Sequence, residues 1–134
     1  MQKTIEQSNR IRILIADDHP AVREGLAALL IPQLGFEVVA QAGDGQEAVD
    51  LFREYRPDIT LMDLRMPRMD GLTAIRAILT DYPEARIIVV TTFEGEEENS
   101  FRAGAKAIVL KETDWEEILS VIRAIHSDSP PQSR

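Results

Sequence analysis

The sequence contains no cysteine. That absence excludes disulfides, thiolate metal sites and cysteine nucleophiles, and says little about compartment. No apolar run approaches the length needed to cross a bilayer, and residues 1–10 are polar, without the apolar core of a secretory leader. A cytoplasmic protein is the expectation. Positive charge is scarce too: 15 Lys and Arg stand against 23 Asp and Glu, for a net charge of −8. Proteins that neutralise many phosphates need clustered Lys and Arg, so this chain is a poor nucleic-acid binder, and no membrane partner is expected either. What remains is 44% hydrophobic and 28% charged residues over 134 positions, the balance of one soluble globular domain with a single sizeable core.

One stretch organises the rest. Asp58-Ile59-Thr60-Leu61-Met62-Asp63 is a short apolar run that delivers a carboxylate to its carboxyl end, where Pro67 and Asp70-Gly71 forbid the strand from continuing. Ile59, Leu61 and Met62 are ordinary core residues, whereas Asp63 stands where another apolar residue would serve. For a lone Asp, a cap or turn would be sufficient reason.

Asp63 is not alone. Residues 11–16 are β-branched and nearly all apolar, read as a strand covered on both faces, and run straight into Asp17-Asp18. After His19-Pro20, Val22, Leu26, Leu29 and Leu30 recur at helical spacing, and Pro32 lies just beyond the end. Residues 36–42 read as a second strand; Asp44-Gly45-Gln46-Glu47 resembles a capping box opening a helix that buries Ala48, Leu51, Phe52 and Tyr55 and stops before Pro57. The third strand covers 59–63. Its helix, about 72–80, places Leu72, Ile75 and Leu79 on one side, and a fourth strand over 86–92 changes abruptly from apolar residues to Thr91 and Thr92. Residues 94–104 hold at most about two helical turns at roughly 3.6 residues per turn, with Phe101 the one large apolar residue and a solvated Glu cluster at the start. A fifth strand, 107–110, ends at Lys111. Thr113-Asp114-Trp115-Glu116 fits a capping box, and Trp115, Ile118, Leu119, Ile122 and Ile125 form the seam of a last helix. The expected organisation is a disordered lead over 1–10, one folded domain over 11–126 and a linker-like tail over 127–134.

Apolar strands alternating with single helices imply an α/β fold: a doubly wound parallel sheet with helices on both faces in three layers. Functional crevices in such sheets lie outside the carboxyl ends of the strands. Asp17, Asp18, Asp63, Thr91, Thr92 and Lys111 all fall there. Capping or ion pairing would explain each taken singly; six such placements together are improbable by chance. Carboxylates within a few ångströms of one another persist when a cation or shared protons relieve them, and with oxygen ligands and no thiolate the cation is a hard one such as Mg²⁺. Beside it, Lys111 and Thr91 can hold phosphoryl oxygens while Asp63 stands in line as nucleophile.

These residues carry a resemblance. Asp17-Asp18-His19-Pro20-Ala21-Val22-Arg23-Glu24-Gly25-Leu26, with Met62-Asp63-Leu64-Arg65-Met66-Pro67 and Asp70-Gly71, is similar to the receiver domain of two-component response regulators, and resembles the NarL/FixJ (LuxR-type) branch. The similarity runs from about Ile11 to His126. It implies a CheY-like (flavodoxin-like) five-stranded sheet in order 2-1-3-4-5. It implies further that Asp63 accepts a phosphoryl group from a sensor histidine kinase, and that Asp18, Asp63 and the Arg65 backbone carbonyl ligate Mg²⁺, with Asp17 acting mainly through water. Thr91 is then similar to the switch hydroxyl and Lys111 to the phosphate-pairing lysine. The resemblance also implies a helix-turn-helix DNA-binding output domain after the tail, transcription regulation by the intact protein, and homodimer contacts through the first and last helices. Two departures stand out: Ile108 replaces an aromatic residue three before the lysine, and the segment from Thr92 to Gly104 is about two residues short, so the fourth helix should be truncated or irregular.

A phosphorylatable switch that is not a turnover enzyme on external substrates is therefore the leading expectation. The alternative is a constitutive interaction or dimerisation module with degenerate switching, for which Ile108 and the short helix speak. A Mg²⁺-dependent phosphohydrolase is disfavoured because no separate general acid is evident, His19 reading as a turn residue and His126 as the end of a helix. Flavin binding lacks a phosphate-cradling loop after the first strand.

Overall fold

A computed structural model describes residues 10–92 and 94–127. The lead and the tail expected from the sequence lie, but for Arg10 and Ser127, outside the described residues. Five strands alternate with five helices: β1 (Ile11–Ala16), α1 (Pro20–Leu30), β2 (Phe36–Ala42), α2 (Gly45–Tyr55), β3 (Ile59–Met62), α3 (Gly71–Asp81), β4 (Ile87–Thr91), α4 (Glu97–Ala103), β5 (Ala107–Leu110) and α5 (Trp115–Ser127). All strand pairs are parallel, in the order β2-β1-β3-β4-β5.

Alternation along the strands divides the core in two. Ile11, Ile13 and Ile15 of β1 join Leu26 and Leu30 of α1 and Ile118 and Ile122 of α5 on one face. Leu14 and Ala16 face the other way, onto Phe52 of α2, Ile75 and Ile78 of α3, and Ala103 of α4. Because β1, β3 and β4 are covered on both sides, their residues are mostly apolar, Arg12, Thr60 and Thr91 being the exceptions. The central strands are thereby the most enclosed part of the molecule, and their carboxyl ends are rigid mounts.

Several local readings need correction. β3 ends at Met62, so Asp63 is the first residue past the strand, and β4 is shorter than expected by a residue at each end. α3 begins one residue earlier and ends one later than 72–80. Tyr55 and Trp115, expected in helix seams, are 37% and 43% exposed; Tyr55 is the last residue of α2 and Trp115 the first of α5. The last helix is capped by Asp114, whose Oδ1 accepts from Glu116 N at 3.4 Å, and the Thr113 box is not formed. At α2, the capping box is present: Asp44 Oδ1 accepts from Glu47 N at 2.8 Å, and Glu47 Oε1 reaches back to Gly43 N at 2.6 Å. α4 is short, at seven residues, as its sequence predicts. Phe101 is half exposed on it, and the helix is held instead by Ser100 and Ala103.

Candidate functional site

Asp17, Asp63 and Lys111 are the residues that immediately follow β1, β3 and β5. Each extends the sheet ladder by one bond: Asp17 N donates to Ala42 O at 3.0 Å, Asp63 N to Ala16 O at 2.9 Å, and Lys111 N to Thr91 O at 2.8 Å. Backbone pairing therefore aims three side chains at one point above the strand ends. The chain must then turn sharply. Gly71 N returns to Leu64 O at 2.8 Å, and a Cβ on Gly71 would collide with the Asp63 carbonyl, so the loop after β3 closes only over glycine.

The fold brings these side chains together. Lys111 Nζ lies 2.6 Å from Asp17 Oδ2 and 3.4 Å from Asp63 Oδ2. The side chains of Asp17 and Asp63 are almost wholly enclosed, and Lys111 is 14% exposed. Asp17, Asp18, His19 and Asp63 each place one ligand-capable atom within 4.8 Å of the others. Asp63 Oδ1 accepts from Leu64 N at 2.8 Å. A cavity of about 400 Å³ opens over this group, lined by Asp18, His19, Asp63, Arg65, Thr92 and Lys111 among others. Thr92 reaches it, whereas Thr91 is fully buried at the end of β4.

Burial dominates the electrostatics. It pushes the Asp63 carboxyl above its ordinary range, and the neighbouring charge of Asp17 adds to this; Lys111 and the Leu64 N–H oppose without prevailing. For Lys111, burial acts downward, but the hydrogen bond to Asp17 and the charges of Asp63 and Asp17 outweigh it and raise the ammonium. Lys111 thereby keeps its positive charge against the acidic pocket.

The residues present suit a divalent ion on a structural observation: Asp18 Oδ1 is buried and has no hydrogen-bond partner, beside two further carboxylates. His19 Nδ1 lies 3.1 Å from that oxygen, and a divalent cation would supply the charge that the gathered carboxylates need.

Sequence reasoning passed over three supports of the site. Arg23 Nη1 donates to Asp17 O at 2.6 Å, one turn into α1. Arg68, at φ 66°, pairs through Nε with Asp44 Oδ2 at 3.0 Å, and Gly45 N donates to Met69 O at 2.9 Å, which ties the loop after β3 to the start of α2. His19, read as a turn residue, faces both Asp17 and Asp18. Its place directly after two acids was the available signal. An adjoining groove of about 520 Å³ is lined by Arg65, Met66 and Glu96 among others.

Among known proteins, the oxygen regulatory protein NreC of Staphylococcus aureus (strain JH9) is 43% identical over 119 residues, which cover 87% of this chain and 55% of that protein. The chain thus spans about half the length of such relatives, among them transcriptional regulatory proteins of Bacillus subtilis (strain 168). A LuxR-family two-component response regulator from Aurantimonas sp. SI85-9A1 superposes with a TM-score of 0.85 at 40% identity, over 90% of this chain and 87% of that one. A chain of the CheX-CheY-BeF3-Mg²⁺ complex from Borrelia burgdorferi does so with a TM-score of 0.81 at 28% identity, over 86% and 88%. The family model described as the response regulator receiver domain matches residues 13–123. With the strand-end carboxylates and lysine in place, the chain belongs to that family.

Proposed function

We propose that this receiver domain takes a phosphoryl group onto Asp63 from a phosphohistidine of a sensor histidine kinase. The observation that carries the reading is the convergence of a nearly enclosed Asp63 with Asp17 and Lys111 at the carboxyl ends of three parallel strands. An Asp63 carboxylate oxygen forms a bond to phosphorus as the phosphorus–nitrogen bond of the donor breaks, and the departing imidazole takes up a proton. Lys111 meets the phosphoryl oxygens with its ammonium, and Thr91, turning from its buried position, donates a hydrogen bond to one of them. Asp17, Asp18, Asp63 and the Arg65 backbone carbonyl would hold Mg²⁺. When bound there, a divalent ion neutralises the charge gathered by the carboxylates and the transferring group. Support for that ion comes from the orphaned Asp18 oxygen and from the structural likeness to a chain whose complex holds Mg²⁺ and BeF3.

The output reading extends beyond this chain. The relatives it half covers are regulators of transcription, so we place this domain ahead of a DNA-binding output domain whose docking the new charge at Asp63 alters by shifting a population. The domain is a switch and turns over no external substrate. No described helix is long and apolar enough to cross a membrane. The constitutive-module reading draws on half-buried Ile108 and seven-residue α4, but the family relatives do not favour it.

Incubation with a small-molecule phosphodonor and Mg²⁺ is expected to add one phosphoryl mass to the wild type and none to Asp63→Asn, read by intact-protein mass spectrometry. Equal labelling of both proteins would remove Asp63 from the chemistry. A phosphorylated domain whose α4 amide exchange and oligomeric state do not change would favour the constitutive module.

A further inference from the structure

The ring of His19 is turned onto the acidic pocket although a turn alone would not require it. Pro20 confines the preceding residue to extended backbone, and His19 has φ −95° and ψ 112° as the N-cap of α1, making no side-chain capping bond. Its own N–H donates to Asp17 Oδ1 at 2.9 Å, which orients the ring's departure from the chain. Nδ1 then lies 3.3 Å from Asp17 Oδ1 and 3.1 Å from Asp18 Oδ1, the oxygen that accepts no hydrogen bond. Lys111 occupies the opposite side, against the Oδ2 atoms of Asp17 and Asp63.

Ligand atoms about 2.0–2.1 Å from one ion stand roughly 2.9–3.4 Å from one another in octahedral or tetrahedral sets. Nδ1 keeps that spacing to both aspartate oxygens, and one oxygen of Asp63 falls within the same 4.8 Å group. Imidazole nitrogen is poorly matched to Mg²⁺, which takes oxygen ligands, and well matched to Zn²⁺ and Ni²⁺. We propose that His19 Nδ1 is a fourth ligand beside Asp17, Asp18 and Asp63, and that it tilts the site toward imidazole-accepting divalent ions such as Zn²⁺. This inference rests on the pocket being a divalent-ion site, and the experiment separates the two.

Zn²⁺ and Mg²⁺ affinities are measured by calorimetry on the wild type and on His19→Asn, a replacement that also suits an N-cap. Imidazole ¹⁵N spectra are recorded during Zn²⁺ titration, with His126, the second of two histidines, as internal reference at the far end of α5. Zn²⁺ should move the His19 Nδ1 resonance into the metal-bound range and leave His126 in place. The ratio of Zn²⁺ to Mg²⁺ affinity should fall at least about tenfold in His19→Asn, the lower end of what losing even an outer-shell partner costs. Zn²⁺ that binds without moving His19 Nδ1 overturns the proposal. So does an unchanged ratio, which is what a general loosening of the pocket produces. If neither ion binds, the divalent-ion reading itself falls and His19 goes with it.

Discussion

Single side chains in this protein serve two elements at once, and Asp44 shows the consequence. Its carboxylate caps α2 through Glu47 N and pairs with Arg68 from the loop that carries the site. The Glu47 N–H is the main reason its pKa lies below the ordinary value of 3.8, and Arg68 adds to the lowering. A carboxylate with a depressed folded-state pKa contributes stability that is present above its unfolded value and is lost as pH falls through the folded one. Asp44→Ala should therefore be less stable than the wild type by about 1 kcal/mol near neutral pH, with the gap closing below about pH 4 as the wild type loses the same charge. Urea unfolding at a series of pH values measures this. A gap unchanged at the acid end would mean that the ionised cap is not what Asp44 supplies. The cap itself was readable, since Asp44 and Glu47 are three residues apart; the Arg68 pairing was not, being 24 residues distant and set by a left-handed backbone that Arg rarely adopts.

Among the elements, α4 is the one least committed to the core. It has seven residues, and only Ser100 and Ala103 are buried. The Ser100 hydroxyl is enclosed and has no hydrogen-bond partner among the described residues. An unsatisfied buried hydroxyl costs about 1–3 kcal/mol, so Ser100→Ala should raise stability, by up to about that amount, which thermal unfolding checks. A clear loss of stability would show that Ser100 has a partner in solution. The shortness of this helix followed from its own sequence, because few apolar residues cannot hold more turns. That Phe101 would stay half exposed did not follow, since which residues of α4 turn inward is set by its packing on the rest of the fold, where Ser100 and Ala103 are the buried ones.

Across the whole molecule, the two cores meet at β1, β3 and β4, so protection should fall from the centre outward. Amides of Leu14, Leu61 and Val89 are expected to exchange through global unfolding, and those of α4 through local opening at rates orders of magnitude faster. Hydrogen exchange read by NMR tests the ranking, and equal protection of α4 and β3 would refute it. Much of the architecture was determined by sequence alone: periodicity marks strands and helices, and the polar residues that end apolar strands name Asp17, Asp63 and Lys111 before any coordinates are seen. These signals are local, carried by residues close together in the chain. Which oxygen of Asp17 faces Lys111 and which faces His19, how Arg68 locks onto α2, and that Trp115 leaves its helix seam were decided only when the strands lined up. Those contacts join residues that chain connectivity leaves far apart, or orient side chains that adjacency alone does not aim, and only close packing across the sheet can choose among their alternatives.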